Sequence, residues 1–369
     1  MQLTRYKLGD LIVQRREKNE GYDVPIRGVS REGFIKPKQQ EADTSIYNVF
    51  YRNDFVFNPA RMELNSIALN LEFDKALCSS LYEIFYVKDE SIVLPEFLNL
   101  HIKRDEFARH CEYIGSGSAR EYCRVAQISE FDIDLPPIDV QQKIVDANRL
   151  LVKRIETNKK LIATLEQTAQ TLYRHTFIDN IDPNNLPQGW RMGTLGEVCD
   201  YVHEKISIDS LSNKTYISTE NMLKERGGII ECESLPEDCN VTAFEQNDIL
   251  VSNIRPYFKK IWRATFSGGC SNDVLCFRSK SEFNSLILYY TIERDSFFEY
   301  VVAGCNGAKM PRGDKKWIMK YPVVIPSVTD QEVFQKQIES IMDIINLKRE
   351  EEKKLKSMQT LLLSKMGVK

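Results

Sequence analysis

The stretch QQKIVDANRLLVKRIETNKKLIATLEQTAQTLYRHTFID, from Gln141 to Asp179, contains neither glycine nor proline. It carries a stripe of mostly apolar residues at alternating spacings of four and three. Such a heptad pattern predicts a long helix that packs along its length against another helix. The stripe residues are Ile144, Asn148, Leu151, Ile155, Asn158, Ile162, Leu165, Ala169 and Leu172.

The same stripe returns 190 residues later, at Phe334, Ile338, Ile341, Ile345, Lys348, Glu352, Leu355, Gln359 and Leu362. A proline-containing lead-in precedes each copy, 135–138 before the first and 325–328 before the second. One such stretch would be an ordinary buried helix. Two copies at one offset indicate an internal repeat, and a repeat decides the architecture.

The segments ahead of the two helices share short motifs as well. Leu195-Gly196-Glu197 corresponds to Leu8-Gly9-Asp10, and 247–251 corresponds to 53–57. We therefore predict an α+β protein in which two similar mixed α/β domains are joined by two long antiparallel coiled-coil helices. The predicted limits are 1–140 for the first domain, 141–179 for the first helix, 180–189 for a linker, 190–327 for the second domain and 328–369 for the second helix.

Local patterns predict some of the elements inside these domains. Alternating aromatic and β-branched residues predict strands at 54–58 and 83–87. Proline at the start and apolar spacing predict a helix at Pro95–Arg109, with a counterpart at Ser285–Tyr300. Glycine-rich loops follow both, at 115–120 and 304–309.

Composition bounds the class of protein. The chain has 369 residues, 42% hydrophobic and 28% charged, with a net charge of −3, as in ordinary folded proteins. No apolar run reaches the ~18 residues of a membrane helix, and the N-terminus lacks the apolar core of a signal peptide. We therefore expect a cytoplasmic protein without a membrane partner. Nine cysteines without CxxC spacing predict reduced thiols.

No motif for catalysis or metal binding emerges. The four histidines do not form HExxH, and neither a GxxxxGK[ST] phosphate loop nor GxSxG occurs. Asn58-Pro59 continues as Ala60-Arg61, which is not the Asn-Pro-Pro-aromatic motif of adenine methyltransferases. We therefore predict no catalytic site, no metal and no cofactor in this chain.

Two clusters of cations and aromatics suit a polyanion, because Arg and Lys contact phosphates and Arg reads guanine. The alternative is a strand with one solvated face. The second half supplies Arg255, Tyr257, Lys259, Lys260, Arg263, Lys309, Arg312, Lys315 and Lys316. Weaker candidates in the first half are Arg15, Arg16, Lys18, Arg27, Arg31, Lys36, Lys38 and Arg61, with Arg120 in the glycine loop. Arg61 and Arg255 correspond across the repeat. The acidic balance of residues 1–140, with 18 basic and 23 acidic side chains, argues against DNA.

The order of these motifs resembles the DNA-specificity subunits of Type I restriction–modification enzymes. The resemblance covers the whole chain and rests on Leu186-Pro187-Gln188-Gly189-Trp190, the two glycine loops, and the lead-ins with Gln141 and Gln331. The first half departs from the pattern, since it begins near Lys7 without a counterpart of 187–190.

The resemblance implies a non-catalytic subunit whose two target-recognition domains each read half of a split double-stranded DNA site. The helices would set the spacer and dock two methyltransferase subunits that use S-adenosylmethionine. Through these would come translocase–nuclease subunits that use ATP and magnesium. The rival hypothesis is a scaffold of two domains on a coiled coil that does not bind DNA.

Overall fold

A computed structural model describes residues 3–37, 43–115, 122–179, 181–237, 239–307 and 309–366. Two compact units emerge. The first contains the described residues up to Lys160 together with those from Arg349 onward, and the second spans Leu161–Lys348. Each unit thus contains one globular part and a portion of both long helices, and the domain limits derived from sequence stay predictions.

The globular part of the first unit is built from short elements. Its strands are β1 Thr4–Lys7, β2 Ile12–Arg15, β3 Gly28–Ser30, β4 Gly33–Ile35, β5 Asn48–Tyr51, β6 Phe55–Phe57, β7 Ile67–Leu69, β8 Lys75–Cys78, β9 Glu83–Val87 and β10 Asp132–Leu135. Its helices are α1 Leu8–Leu11, α2 Pro95–Ile102, α3 Asp105–Gly115 and α4 Val125–Ile128, with 3-10 turns at Thr44–Ile46 and Pro59–Leu64. The first long helix, α5, follows at Ile138–Phe177.

The second unit has a corresponding order of elements. Its strands are β11 Arg191–Thr194, β12 Cys199–Tyr201, β13 Lys205–Ser207, β14 Tyr216–Ile217, β15 Asn240–Phe244, β16 Ile249–Ser252, β17 Ile261–Arg263, β18 Gly268–Cys270, β19 Val274–Ser279, β20 Cys305–Asn306, β21 Arg312–Gly313 and β22 Pro322–Ile325. Its helices are α6 Leu195–Val198, α7 Ser285–Glu293, α8 Asp295–Ala303, α9 Lys315–Ile318 and the long α10 Val328–Lys365, with 3-10 turns at Ile208–Ser210 and Pro256–Phe258.

The same antiparallel sheet forms the core of each globular part. Its strand order is β2-β9-β6-β7 in the first unit and β12-β19-β16-β17 in the second. The register matches as well, because Phe55 pairs with Phe85 and the corresponding Ile249 pairs with Phe277. All four of these side chains are fully buried. The repeated fold predicted from sequence is therefore present at the level of strand order and register.

A second sheet also repeats, in a reduced form. In the second unit its order is β13-β15-β18-β14. The first unit keeps β5-β8 and replaces the outer strands by single bridges, Lys18 to Asn48 and Ile26 to Leu77. The outer strands are thus one part of the scaffold in which the two copies differ.

A buried aspartate follows the same turn in both copies. Asp54 accepts a hydrogen bond from the Tyr51 amide at 2.7 Å, and Asp248 accepts one from the Glu245 amide at 2.8 Å. Each carboxylate also binds an arginine through two nitrogens, but the arginines come from different strands. Arg15 on β2 holds Asp54 at 2.7 and 3.1 Å, and Arg278 on β19 holds Asp248 at 2.8 and 2.9 Å.

The register shows that the two arginines occupy different positions in the two copies of the sheet. Gln14 and Tyr201 occupy equivalent positions, since they pair with Phe85 and Phe277. Val202 therefore stands at the position of Arg15, and Tyr86 stands at the position of Arg278. The ion pair at the buried aspartate is kept although its cation has moved to the neighbouring strand.

A buried glutamine fixes the start of each long helix. Gln141 accepts a hydrogen bond from the Leu94 amide at 3.0 Å and donates to the Pro136 carbonyl at 2.9 Å. Gln331 accepts one from the Asn284 amide at 2.9 Å and donates to the Pro326 carbonyl at 3.1 Å. The proline-containing lead-in thus supplies the carbonyl that accepts from Gln141 or Gln331. These glutamines tie each long helix to its domain.

The two long helices are α5, Ile138–Phe177, and α10, Val328–Lys365. α5 begins at Ile138 instead of Gln141 because the helix starts directly after Pro136-Pro137, and it ends at Phe177. Every predicted seam residue is buried or half-buried; these are Ile144, Leu151, Ile155, Asn158, Leu165, Leu172, Ile338, Ile341, Ile345, Lys348, Leu355 and Leu362.

Contacts between the helices occur within each unit. In the first unit Asn148 accepts a hydrogen bond from Gln359 at 3.0 Å, and Arg154 binds Glu351 at 2.7 Å. In the second unit the ring of Phe334 lies 4.9 Å from that of Phe177 and 6.1 Å from that of Tyr173. In the first unit, residues later in α5 contact residues earlier in α10.

Two helix predictions were too long. Pro95–Arg109 and Ser285–Tyr300 were expected as single helices, but each is a pair. The first breaks at Lys103-Arg104 before α3, and the second breaks at Arg294, whose ψ of 149° is extended. In both copies the next helix starts with an aspartate, and Asp105 and Asp295 lie in its first turn, where a negative charge is favourable. Among the described helices, none has a run that is both long and apolar enough to span a membrane.

Candidate nucleic-acid interface

The two basic clusters of the second half, about fifty residues apart in sequence, lie side by side in the structure. Ile254 forms a bridge with Arg312, and the Arg255 amide donates to the Pro311 carbonyl at 2.9 Å. The segment after β16 is therefore held against the segment that contains β21. We define the basic surface as Arg255, Tyr257, Lys309, Arg312, Lys315 and Lys316.

Arg255 has an unusual backbone conformation at the centre of this surface. Its φ of 51° is left-handed, and it precedes the turn Pro256–Phe258, which closes at Lys259 with φ of 49°. Such a conformation costs a non-glycine residue about 1 kcal/mol or more and is typical of functional loops. The turn leaves the Tyr257 ring 47% exposed. An aromatic ring is thus presented beside an arginine.

The remaining cations of the basic surface project from β21 and the short helix α9. Lys309, Lys315 and Lys316 are exposed. Arg312 pairs with Asp273 at 3.0 Å, and both side chains are about half exposed. An exposed ion pair contributes roughly 0–1 kcal/mol, so Arg312 can exchange its partner for a phosphate at little cost.

Three predicted cations of the same stretch have other partners. The Lys259 ammonium binds Asp295 at 2.8 Å, and Lys260 donates to the Thr219 carbonyl at 2.5 Å. Arg263 donates to Asn247 at 2.6 Å, and burial lowers the pKa of its guanidinium. The stretch is therefore not one continuous basic face, because these side chains hold the scaffold. Their contact with DNA stays a prediction, and we leave them outside the basic surface.

The sequence did not single out the loop that braces the turn at Arg255. Glu225 and Arg226 both have positive φ, 50° and 60°, and their amides donate to the carbonyls of Phe258 and Lys259 at 2.9 and 3.0 Å. Arg226 also binds Asp295 at 2.5 Å. The neighbouring Gly227-Gly228 indicated a turn, but no sequence pattern indicated what that turn would contact.

A small basic cavity was also missed. Its volume is about 240 Å³, and Lys205, His203, Lys315, Tyr201 and Asn272 contribute to its lining. Burial raises the pKa of the Tyr201 hydroxyl, so that group stays protonated as a hydrogen-bond donor. The Tyr201 hydroxyl donates to the Lys315 carbonyl at 3.1 Å, so the cavity adds the cation Lys205 beside Lys315 of the basic surface.

The first-half candidates are dispersed. Arg61 is exposed in the turn Pro59–Leu64, at the position that corresponds to Arg255. Arg16 and Arg31 are exposed too, with Arg16 bonded to Gln14 at 2.8 Å. Arg15 differs, because its guanidinium is bound to Asp54 and lies over the Tyr51 and Tyr86 rings. Arg120 lies outside the described residues.

The described part of the chain offers no cluster of three or more His, Cys, Asp or Glu side chains able to hold a metal ion.

A larger cavity of about 370 Å³ in the second unit contains Arg226, Glu293 and Asp295 among its lining residues. Burial raises the pKa of Glu293, and its carboxylate accepts from the Tyr289 hydroxyl at 3.0 Å. These groups are engaged in hydrogen bonds that hold the helices α7 and α8.

Comparison with known protein families assigns both copies of the fold. The model of the Type I restriction modification DNA specificity domain matches residues 17–167 and again residues 187–357. The two matches together cover most of the chain. This chain belongs to that family.

Curated members of the specificity-subunit family are similar over parts of the chain. The EcoDI specificity subunit of Escherichia coli is 23% identical over 297 residues, which is 70% of this chain and 65% of that protein. The HindI specificity subunit of Haemophilus influenzae is 34% identical over 95 residues, 25% of this chain and 20% of that protein. The chain therefore matches less than two thirds of the length of these curated relatives.

Solved structures of Type I systems share the fold of this family member. The S subunit of the Type-I restriction-modification system from M. genitalium has a TM-score of 0.57 and 13% identity, covering 100% of this chain and 96% of that one. A chain from a study of complex assembly and conformational transition of the type I R-M system has a TM-score of 0.51 and 18% identity, covering 99% and 97%.

The two specificity domains carry the candidate residues unequally. The basic surface lies wholly inside the second match, whereas Arg31 and Arg61 lie in the first and Arg15 and Arg16 just precede it. The duplicated domain explains why the scaffold motifs repeat along the chain.

Proposed function

We propose that this chain is the DNA-recognition subunit of a Type I restriction–modification complex, and that each domain reads one half of a bipartite site in double-stranded DNA. The observation that carries the proposal is the repeat itself. One family domain occurs twice with the same core sheet, and the exposed side chains differ. A shared scaffold with different surfaces suits a protein that reads two different sequences.

The basic surface is the proposed DNA contact of the second domain. Arg255 and Arg312 can bind guanine through two nitrogens, and Lys309, Lys315 and Lys316 can bind phosphates. Tyr257 can pack on a sugar or a base. Arg61, Arg16 and Arg31 are the proposed cations of the first domain.

Replacement of Arg255 and of Lys316 by alanine tests the surface. A base contact costs ~1–3 kcal/mol and relaxes specificity at one position, whereas a phosphate contact weakens all sequences alike and lowers the salt slope. Binding is measured by gel shift with the methyltransferase partner on duplexes that carry the site found by methylome sequencing. Lys88→Ala, an exposed lysine after β9 that lies outside the basic surface and off the long helices, is the matched control.

Two results would count against the proposal. Unchanged affinity and salt dependence in both variants would remove the basic surface from the DNA contact. If the unaltered chain with its methyltransferase bound no DNA, the scaffold alternative, which the acidic balance of residues 1–140 favours, would replace the recognition role.

We further propose that α5 and α10 form an antiparallel coiled coil that sets the distance between the half-sites. Two observations support this proposal. Every seam position is buried or half-buried, and in the first unit residues later in α5 contact residues earlier in α10. A helix of 40 residues is about 60 Å long at 1.5 Å per residue. One turn of B-DNA is ~34 Å, so such a helix is long enough to separate two half-sites.

The chain itself is proposed to be non-catalytic and cytoplasmic. Two methyltransferase subunits using S-adenosylmethionine would dock along the helices, and translocase subunits using ATP and magnesium would join through them. The exposed Lys153 and Lys159 lie off the seam and are available for such contacts. Mass measurement of the purified complex tests the scheme, because a single methyltransferase per chain at saturating partner would contradict it.

A further inference from the structure

One cation occupies the same place in both domains. Lys18 forms a bridge with Asn48 on β5, and Lys205 pairs with Thr242 on β15. Both lysines lie four residues beyond the equivalent positions Gln14 and Tyr201. The register therefore makes Lys18 and Lys205 counterparts, and both side chains are exposed.

Neutral oxygens surround both ammonium groups. Lys18 donates to the Asn48 amide oxygen at 2.7 Å and to the Ile46 carbonyl at 3.0 Å. Lys205 donates to the Thr242 hydroxyl at 3.2 Å and to the Asn272 amide oxygen at 3.1 Å. Within the described ranges, neither lysine forms an ion pair with a carboxylate.

The preceding glutamate is drawn away from the lysine in both domains. Glu17 accepts from the Tyr51 hydroxyl at 2.6 Å and lies 4.0 Å from Arg15. Glu204 binds Arg278 at 3.1 Å. Arg15 and Arg278 are also the arginines that hold the buried aspartates. In each domain, therefore, the arginine that binds the aspartate also lies next to the glutamate. Each lysine is left with its charge uncompensated.

Further cations lie close to each lysine. In the second domain Lys205 and Lys315 line the cavity of about 240 Å³ together with His203. In the first domain Arg16 stands at the position of His203 and is exposed. An anion in the second-domain cavity would meet both Lys205 and Lys315.

We propose that Lys18 and Lys205 each bind one phosphate of the DNA backbone, at the same point of each half-site. The inference rests on the proposed function. A residue that reads bases should differ between domains that read different sequences, whereas a phosphate contact carries no sequence information and can be the same. A lysine ammonium acts as a point charge that suits this task.

The test measures the salt dependence of binding by the full chain with its methyltransferase subunits. Two probes are used, a duplex with the site found by methylome sequencing and a random-sequence duplex pool. Loss of one phosphate contact lowers the slope of log K against log salt by about 0.9. We expect this loss for Lys205→Gln and for Lys18→Gln, about twice as much for the double variant, and the same recognised sequence throughout.

Two further variants act as controls. Lys205→Arg keeps the charge and should keep the slope, and Lys88→Gln removes an exposed lysine that lies outside the basic surface and off the long helices, so it should leave the slope unchanged. If the unaltered protein binds DNA and the Gln variants keep their slope, the inference is wrong. A changed recognition sequence in Lys205→Gln would also overturn it, since Lys205 would then read bases. Absence of DNA binding by the unaltered protein would refute the proposed function and this inference with it.

Discussion

Asp54 and Asp248 show how single residues hold the two copies of the fold. Each carboxylate is almost completely buried, 1% and 4% exposed, and each needs its arginine as a counter-charge. A buried charge that loses its partner costs several kcal/mol. The exchange of the arginine between strands, from β2 to β19, keeps that partner.

Removal of this arginine should destabilise the second unit strongly. Arg278→Ala is expected to lower the free energy of unfolding by about 3 kcal/mol, because the Asp248 carboxylate stays buried without its cation. Arg312→Ala breaks only the exposed pair with Asp273 and should cost less than about 1 kcal/mol. Urea unfolding measures both.

A double variant gives the sharper test of the exchange. Val202→Arg combined with Arg278→Tyr recreates the arrangement of Arg15 and Tyr86, and it should recover most of the stability lost in Arg278→Ala. If the double variant is no more stable than Arg278→Ala, the two positions are not equivalent around the aspartate.

His101 gives the first unit a dependence on pH. The side chain is 5% exposed between Phe97 and Arg104, and burial lowers its pKa from 6.5 to about 4. The unfolded chain therefore takes up a proton below pH 6.5, whereas the folded chain takes it up only near pH 4. Stability should fall as the pH falls from 6.5 to about 4, by on the order of 3 kcal/mol.

Unfolding of His101→Leu across the same pH range provides the check. The variant lacks the titrating group and should lose much less stability between pH 6.5 and 4 than the unaltered chain. Equal pH slopes in the two proteins would show that His101 is not the responsible group.

Residues of the candidate site were predictable in kind but not in detail. The sequence located Arg255 and Lys316 because cations and aromatics cluster around them. It could not separate Lys259 and Lys260 from that group, since Asp295 and Thr219, which bind them, are distant in the chain. Lys205 was missed because it becomes notable only when the register aligns it with Lys18.

At the level of elements, the long helices were the most predictable feature. Their seam repeats every seven residues over a length that chance does not produce, and every seam position is buried or half-buried. The paired helices α2–α3 and α7–α8 were less predictable. Their breaks at 103–104 and at Arg294 contain neither glycine nor proline, so only the start of the next helix at an aspartate marks them.

Asn158 is the seam residue whose polarity has the clearest cost. The side chain is 1% exposed, and its amide nitrogen has no hydrogen-bond partner among the described residues. An unsatisfied buried amide costs about 1–3 kcal/mol, so Asn158→Leu should raise the free energy of unfolding by about 1 kcal/mol. The Asn158→Ala variant, which opens a cavity, is the control. A stability loss in Asn158→Leu would indicate a partner that stabilises the amide.

We propose that the buried Asn158 lowers stability but fixes the register between the two helices. We predict that Asn158 lies beside Lys348 or Glu352 in a polar layer of the seam; the Glu352 carboxylate binds Lys356 at 2.7 Å. Replacing all three by leucine should preserve or raise stability while allowing several registers. Disulfide trapping between cysteines introduced on α5 and α10 would count the registers.

Helix length should determine the spacer between half-sites. Insertion of four residues into α5 adds about 6 Å of rise, so methylome sequencing should find the same two half-site sequences at a new separation. Altered bases with an unchanged spacer would refute the role of the helices as a ruler.

For the whole molecule, the repeat was predictable because its signals are local in sequence. Leu8-Gly9 and Leu195-Gly196 start the same helix, and the lead-ins end at the same glutamine, so motifs alone align the two halves. The sheets were not predictable. Their strands have two to six residues, and their order depends on pairings such as β2 with β9 that join residues far apart in the chain.

Within the described residues, the first unit does not form the outer strands that the second unit has around β15 and β18. Single bridges at Lys18 and Ile26 keep the order of that sheet, and the hairpin β3–β4 follows Ile26 in the chain.

The exchanged arginine bears on how such chains can recombine. A crossover in the gene at the boundary between domains transfers an aspartate together with its own arginine. A crossover between the codons of β2 and β9 would join the valine of one arrangement to the tyrosine of the other, leaving Asp54 or Asp248 without a cation. The reciprocal hybrid would crowd two arginines around one carboxylate. Recombination that yields a stable domain should therefore exchange the whole domain and not part of it, even between copies whose strand order is the same.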